Sequence, residues 1–143
     1  MSKIIDERLS RRTVALGAAL GALAVSTEAM AAVCPPGKQG VDVMGPGATM
    51  PKGVSDMVMG SIDLINEKVK LAGYQLRARR LVIEPGGEVP WHSHAERPAM
   101  IYIAEGTITE YKSTCSVPIV HNAGDLAVET HEVSHWWKNT GGR

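Results

Sequence analysis

An all-β barrel or sandwich is the fold this chain predicts, on three observations. Apolar runs of about five residues succeed one another from Ser61 to the end of the chain. Turns containing Gly or Pro separate them, and the 15 Gly and 8 Pro are spread along the chain rather than massed in one block. Helical periodicity is almost absent, so the pattern fits strands and not helices. With three Trp, three Tyr and no Phe, the core must rest on Val, Ile, Leu, Met and Ala. The 143 residues suffice for one domain with a core, and no internal repeat divides them.

The elements follow in chain order. Residues 1–31 read as an export signal. Lys3, Arg8, Arg11 and Arg12 give a positive start, an uncharged run from Val14 to Val25 follows, and Ala29-Met30-Ala31 has the small-x-small form of a cleavage site. The apolar run is shorter than the roughly 20 residues of a membrane span, so no stable membrane anchor is expected. Ser10-Arg11-Arg12-Thr13-Val14-Ala15-Leu16 resembles a twin-arginine export motif, with Val14 where Phe or Leu is usual. An ordinary secretory signal with two arginines is the other reading. Either route makes the mature protein periplasmic or secreted. That compartment permits a disulfide between Cys34 and Cys115, the one pairing two cysteines allow.

Residues 32–60 read as an irregular N-terminal arm, broken by Cys34-Pro35-Pro36-Gly37, Gly45-Pro46-Gly47 and Met50-Pro51-Lys52-Gly53. Residues 61–143 read as the folded domain, with room for a short helix over 62–68. A long strand spans 74–84 and ends at Pro85-Gly86-Gly87. Further strands cover 100–103, 107–111, 117–120, 126–128 and 133–137, with a turn at Asn122-Ala123-Gly124. Acidic and basic residues balance at 15 each, so the chain lacks the basic excess of a nucleic-acid binder.

Chemistry concentrates in the histidines. His92 and His94 are two residues apart in an extended segment, which puts both on one face of a strand. Neutral imidazoles are good ligands for Fe, Mn, Ni, Cu or Zn. The surroundings sharpen this. Gly86, five residues, His92-Ser93-His94 and then Gly106 resemble the first motif of the cupins, Gly-x5-His-x-His-x(3–4)-Glu-x6-Gly. Gly124, His135 and Asn139 fall in register on the second, Gly-x5-Pro-x-Gly-x2-His-x3-Asn, with Thr130 and Glu132 in place of its Pro and second Gly. The short stretch between Gly106 and Gly124 is like that of small single-domain bacterial cupins.

This resemblance covers residues 61–143 and implies a jelly-roll (double-stranded β-helix) barrel. It implies one divalent transition metal held by His92, His94 and His135. The family's fourth ligand, a Glu, falls on Ala99, which has no donor atom. Three-histidine sites occur among cupins, in thiol and diketone dioxygenases. Glu96 is the candidate substitute, because it shares the face of His94 if the chain stays extended; the alternative is a solvated turn residue beside Arg97. Trp91, Trp137 and Tyr102 are candidate pocket walls. Arg77, Arg79 and Arg80 are candidates for holding a substrate carboxylate or else charges of a solvated strand face. His121 and His131 have no motif role and read as surface residues.

Two functions remain open. One is a mononuclear metal enzyme on a small molecule, a dioxygenase first and an isomerase or lyase second. The other is a binding or sensing protein without chemistry. Cupin barrels usually continue with a strand or two beyond the second-motif Asn, whereas this chain stops at Gly141-Gly142-Arg143. The barrel is therefore expected to lack its last strand. A sheet edge left open in this way is covered by a partner chain, making a homodimer, or by the N-terminal arm; a truncated fragment is the third reading.

Overall fold

The computed structural model describes residues 32–142. The proposed export signal lies outside the described residues. Seven strands form, and no helix is present among the described residues. They are β1 (Lys52–Asp63), β2 (Gln75–Ser93), β3 (Ala99–Tyr102), β4 (Thr107–Lys112), β5 (Ile119–Asn122), β6 (Leu126–Glu129) and β7 (Ser134–Lys138). One sheet has five strands in the order β1-β2-β7-β4-β5, and a second has only β3 and β6. All pairings are antiparallel.

Alternation builds the interior. Ile108 and Glu110 on β4, Ile119 and His121 on β5, Ala127 and Glu129 on β6 and His135 and Trp137 on β7 are all buried. Successive residues of a strand face opposite ways, so these pairs mark the inner face. Ile103, Ile108, Ala127 and Trp137 form the apolar core, with Ile83, Val89 and Ile101 packed against it. At the other end of β7 the inner residue is a histidine rather than an aliphatic side chain, so the core ends and a polar cluster begins.

Several boundaries differ from the sequence reading. The arm is irregular only as far as Pro51, since residues 52–63 are strand. Residues 64–74 form turns that return β1 to β2 rather than a helix, held by Leu64 N donating to Tyr74 O at 3.0 Å. Pro85-Gly86-Gly87 does not end β2 but bends it. A Cβ on Gly87 would lie 2.7 Å from Glu84 O and 2.9 Å from Gly53 O, so the bend tolerates no side chain there. Asn139 pins the bend. Its backbone N donates to Gly87 O at 2.9 Å, and its Nδ2 donates to Ile83 O at 2.8 Å.

β7 is not an open edge, because β2 and β4 flank it. The open edges belong to β1, β5 and both strands of the small sheet. The N-terminal segment crosses the far side of the barrel, where Gly40 N donates to Thr114 O and Val43 N to Ser113 O. A disulfide joins Cys34 to Cys115 with 5.7 Å between the Cα atoms. Farther along, Gly47 lies against the indole of Trp136, which stacks on Tyr111 at 3.9 Å.

Candidate metal centre

β2 and β7 place the histidines. His92 and His135 are direct cross-strand partners, which sets them on one face, and His94 follows two residues on. His135 Nε2 lies 2.9 Å from His94 Nε2 and 3.1 Å from His92 Nε2. Every Nδ1 is already engaged. His92 Nδ1 donates to Pro90 O at 2.9 Å, His94 Nδ1 to Arg97 O at 2.7 Å, and His135 Nδ1 to Glu110 Oε1 at 2.7 Å. A carbonyl oxygen can only accept, so the first two Nδ1 atoms must carry the proton.

The consequence fixes what the site can hold. In a neutral imidazole with its proton on Nδ1, Nε2 bears a lone pair. Three Nε2 lone pairs then converge with no imidazole hydrogen among them, and the one N–H among the described residues that reaches any of them is the indole of Trp137, 3.3 Å from His135 Nε2. Burial argues against charging the rings instead: desolvation lowers the pKa of His94, and lowers that of His135 to about 4. A cation between the three nitrogens removes the repulsion. Two nitrogens bound to one ion at about 2.1 Å sit roughly 3.0 to 3.4 Å apart between octahedral and tetrahedral angles, close to the 2.9 and 3.1 Å found from His135 to the other two. The residues therefore fit a transition-metal ion.

Behind His135 lies a charged cluster with no counterpart in the sequence reading. Glu110 on β4 takes the Nδ1 proton of His135 with Oε1 and the Nε2 proton of His121 with Oε2, at 2.7 and 3.0 Å. Glu129 on β6 lies 3.6 Å from His135 Nδ1, and Lys112 Nζ is 3.1 Å from Glu129. Burial works to raise the pKa of Glu110, but the hydrogen bonds from His121 and His135 outweigh it and hold the group well below the usual carboxylate range. Burial, followed by the charge of Glu110, pushes Glu129 up to about 8, which favours its protonated form at neutral pH. Glu110 thus fixes the tautomer of His135 and makes it a better ligand.

Glu129 has a further bearing on the missing fourth ligand. Its cross-strand partner is Ala99, the position where the resemblance calls for Glu. A carboxylate thus stands one strand over from that position, on the same face, and lies on the Nδ1 side of His135. Two groups of donor atoms come within 4.8 Å of one another among the described residues: His92, His94 and His135, and Glu110, Glu129 and His135. Neither includes Glu96. That residue is exposed and borders a surface hollow of about 330 Å³ with Arg77 and Arg97. The turn begun by Arg97 N donating to His94 O takes it out of the extended run.

The other sequence candidates separate. Trp137 is buried under the site, and its Nε1 donates to His135 Nε2 at 3.3 Å. Trp91 is half-buried, its backbone N held by Ala48 O. Tyr102 alternates out of phase with Ile101 and leaves 64% of its surface in water, so it does not wall this pocket. Arg77, Arg79 and Arg80 lie on the exposed part of β2, where Arg79 pairs with Asp56. His131 is exposed, as expected, but His121 is not. It sits on β5 and is fully buried against Glu110, because the strand runs on through 119–122. A cavity of about 420 Å³ opens between the N-terminal segment and the barrel and reaches Glu110 and Lys112. The signal for Glu110 and Glu129 was present: each falls in phase with an apolar inner residue, Ile108 and Ala127.

A family model described as the cupin domain matches residues 79–143. Residues 79–143 are similar to a cupin domain. The match spans both motifs, all three histidines and six of the seven strands in whole or part, and the all-β architecture is that of a cupin jelly roll. No curated protein matches the chain closely enough to count as a relative.

Proposed function

We propose that this cupin-like protein binds one divalent transition metal through His92, His94 and His135 and is a metal-dependent enzyme acting on a small molecule outside the cytoplasm. The observation that carries the reading is the convergence of three Nε2 lone pairs whose Nδ1 protons are all committed elsewhere. The pattern of a basic start, short apolar run and small-x-small site in residues 1–31, read as an export signal, supports the location.

Within the site, His92, His94 and His135 supply the ligand nitrogens, and among the described residues no carboxylate stands beside them on the Nε2 side. When bound, such an ion supplies Lewis acidity and free coordination positions for a chelating substrate or dioxygen. That donor set favours a dioxygenase, with isomerase or lyase chemistry second. Glu110 retains the Nδ1 proton and orients the His135 ring. The core beneath, with Trp137 at its top, excludes water from one side of the site.

A ligand-binding protein without chemistry is the second reading, favoured by the absence of a carboxylate next to the three nitrogens. Metal analysis of the purified protein tests the first step. One equivalent of transition metal per chain, retained through dialysis, is expected. A chain that stays metal-free after exposure to Fe, Mn, Ni, Cu and Zn would leave the binding protein as the better account. Oxygen uptake by the loaded protein on candidate diketones and thiols then separates enzyme from carrier.

A further inference from the structure

Trp136 and Trp137 are neighbours on β7 and face opposite ways, as strand geometry requires. Trp136 points outward and stacks on Tyr111, which is a packing role. Trp137 points inward, is 3% exposed and belongs to the apolar core with Ile103, Ile108 and Ala127. Its cross-strand partners flank it on both sides, Val89 on β2 and Glu110 on β4. Its ring lies against those of His121 and His135, with 5.0 and 5.3 Å between centroids. A side chain enclosed in this way has little room to turn, because a packed interior leaves few voids.

An indole N–H donates and cannot accept, and a buried one needs a partner. Among the described residues, the acceptor that the Trp137 N–H reaches is His135 Nε2, at 3.3 Å. That is long for a hydrogen bond. It is also the lone pair that an ion held by the three histidines takes. Ion and indole hydrogen cannot share one lone pair, and the enclosed ring cannot swing away. With an ion in place, the N–H therefore stays at the Nε2 side, buried and short of an acceptor. No carboxylate of the described residues joins the three nitrogens there to supply one. A buried donor left unpaired is costly, so an acceptor brought in by a ligand is favoured at that point.

We infer that Trp137 sets the specificity of the site: its indole N–H donates to an oxygen that the substrate presents at the Nε2 side, so the site takes small molecules with a carboxylate or enolate oxygen in preference to thiols. Selection of this kind rests on the metal at His92, His94 and His135 proposed above, and narrows what that metal receives. An anionic oxygen accepts strongly, in a bond roughly twice as strong as one between neutral groups. Sulfur is a weak acceptor and leaves the indole N–H poorly paired. Burial of Trp137 sharpens the difference, since little water reaches the N–H to stand in for a missing acceptor. His94 and His135 are buried and His92 is half-buried, so a ligand arrives past His92 and meets Trp137 on the core side.

Nuclear magnetic resonance of the zinc-loaded, isotope-labelled protein tests this without any assay of activity. The three Trp give three indole N–H signals. Trp137→Phe identifies the one that matters, and Trp91→Phe with Trp136→Phe identifies it by elimination if that variant does not fold. Acetohydroxamate, whose anionic oxygen mimics an enolate, should move the Trp137 signal downfield and leave the other two in place. Ethanethiol should not move it downfield. Acetohydroxamate should also bind zinc-loaded Trp137→Phe about 10-fold or more weakly than it binds wild type, while ethanethiol binds the two alike. A wild type that takes up no zinc would overturn the metal reading and the selection together. Zinc uptake with a Trp137 signal indifferent to acetohydroxamate would overturn the selection alone. So would equal weakening of both probes by Trp137→Phe, which would mark the ring as packing only.

Discussion

The barrel interior and the β1–β2 ribbon invert each other's burial. The most deeply buried large side chains include His121, His135, Glu110 and Glu129, which are polar, whereas Met57, Met59 and Leu76 of the ribbon stand more than half in water. Burying charge is costly unless it is paired, and leaving large apolar side chains in water forgoes about 1.5–3 kcal/mol each. Each region therefore carries an imbalance between polarity and environment. In the barrel the protein's own pairs, Glu110 with His135 and His121, account for the Nδ1 side of the site, and what is lacking is a positive centre at the Nε2 side. In the ribbon what is lacking is apolar cover. The contrast teaches that polarity against environment, read residue by residue, points to what a chain binds.

The sharpest way to break the comparison is to change one region at a time and read metal affinity. His135→Ala should lower metal affinity by well over 100-fold, more than the roughly 10- to 100-fold that loss of a supporting hydrogen bond costs. Met59→Lys on the exposed ribbon should leave metal affinity unchanged. Calorimetric metal titration on both variants provides the check. Loss of metal affinity in Met59→Lys would mean that the ribbon and the site are coupled rather than independent.

A smaller effect is expected behind the site. Glu110→Gln keeps an acceptor for His135 Nδ1 but removes the charge, and metal affinity should fall about 10- to 100-fold in a competition titration with a chromophoric chelator. Unchanged affinity would reduce Glu110 to a packing role.

The smallest effect concerns Glu129. Its folded pKa, about 8, lies above the ordinary carboxylate value of 4.5. Its contribution to stability is therefore fully present below about pH 4.5, declines as pH rises, and is lost through pH 8. Glu129→Gln, which mimics the protonated acid, should leave metal-free stability nearly unchanged at pH 5 and raise it relative to wild type at pH 8.5. Urea unfolding at the two pH values measures the difference. Equal effects at both would show that Glu129 is ionised in the fold.

The sequence showed much of this in particular places and hid it in others. The spacing Gly86, His92, His94, Gly106 and Gly124, His135, Asn139 was legible because each position does a local job. The glycines make turns and a close approach, Asn139 pins the bend, and the histidines share a face by strand periodicity. The strands from Thr107 onward were legible from alternation. The ribbon was not, because Pro51, Gly53 and Gly60 look like breakers while cross-strand pairing over 52–63 overrides them, with register shifts at Lys52/Val54 and Val58/Gly60. Glu110, Glu129 and His121 were hidden for a different reason. A charged residue in a strand normally faces water, so the phase that Glu110 shares with Ile108 and Glu129 with Ala127 is easily passed over, and the pairing of β4 with β5 and β7, and of β6 with β3, is what brings the charged residues to face one another. Tyr102 was placed at the pocket by proximity in sequence, since one residue of phase turns a side chain outward; of the two readings of Glu96 the structure shows the solvated turn, because one turn after His94 ends the shared face.

Native mass spectrometry of the intact purified protein, reconstituted with a single transition metal, tests the central claim most directly. The account predicts one metal ion per chain, lost when His135 is replaced by Ala. A metal-free wild type as the main species, or full metal content in His135→Ala, would contradict it.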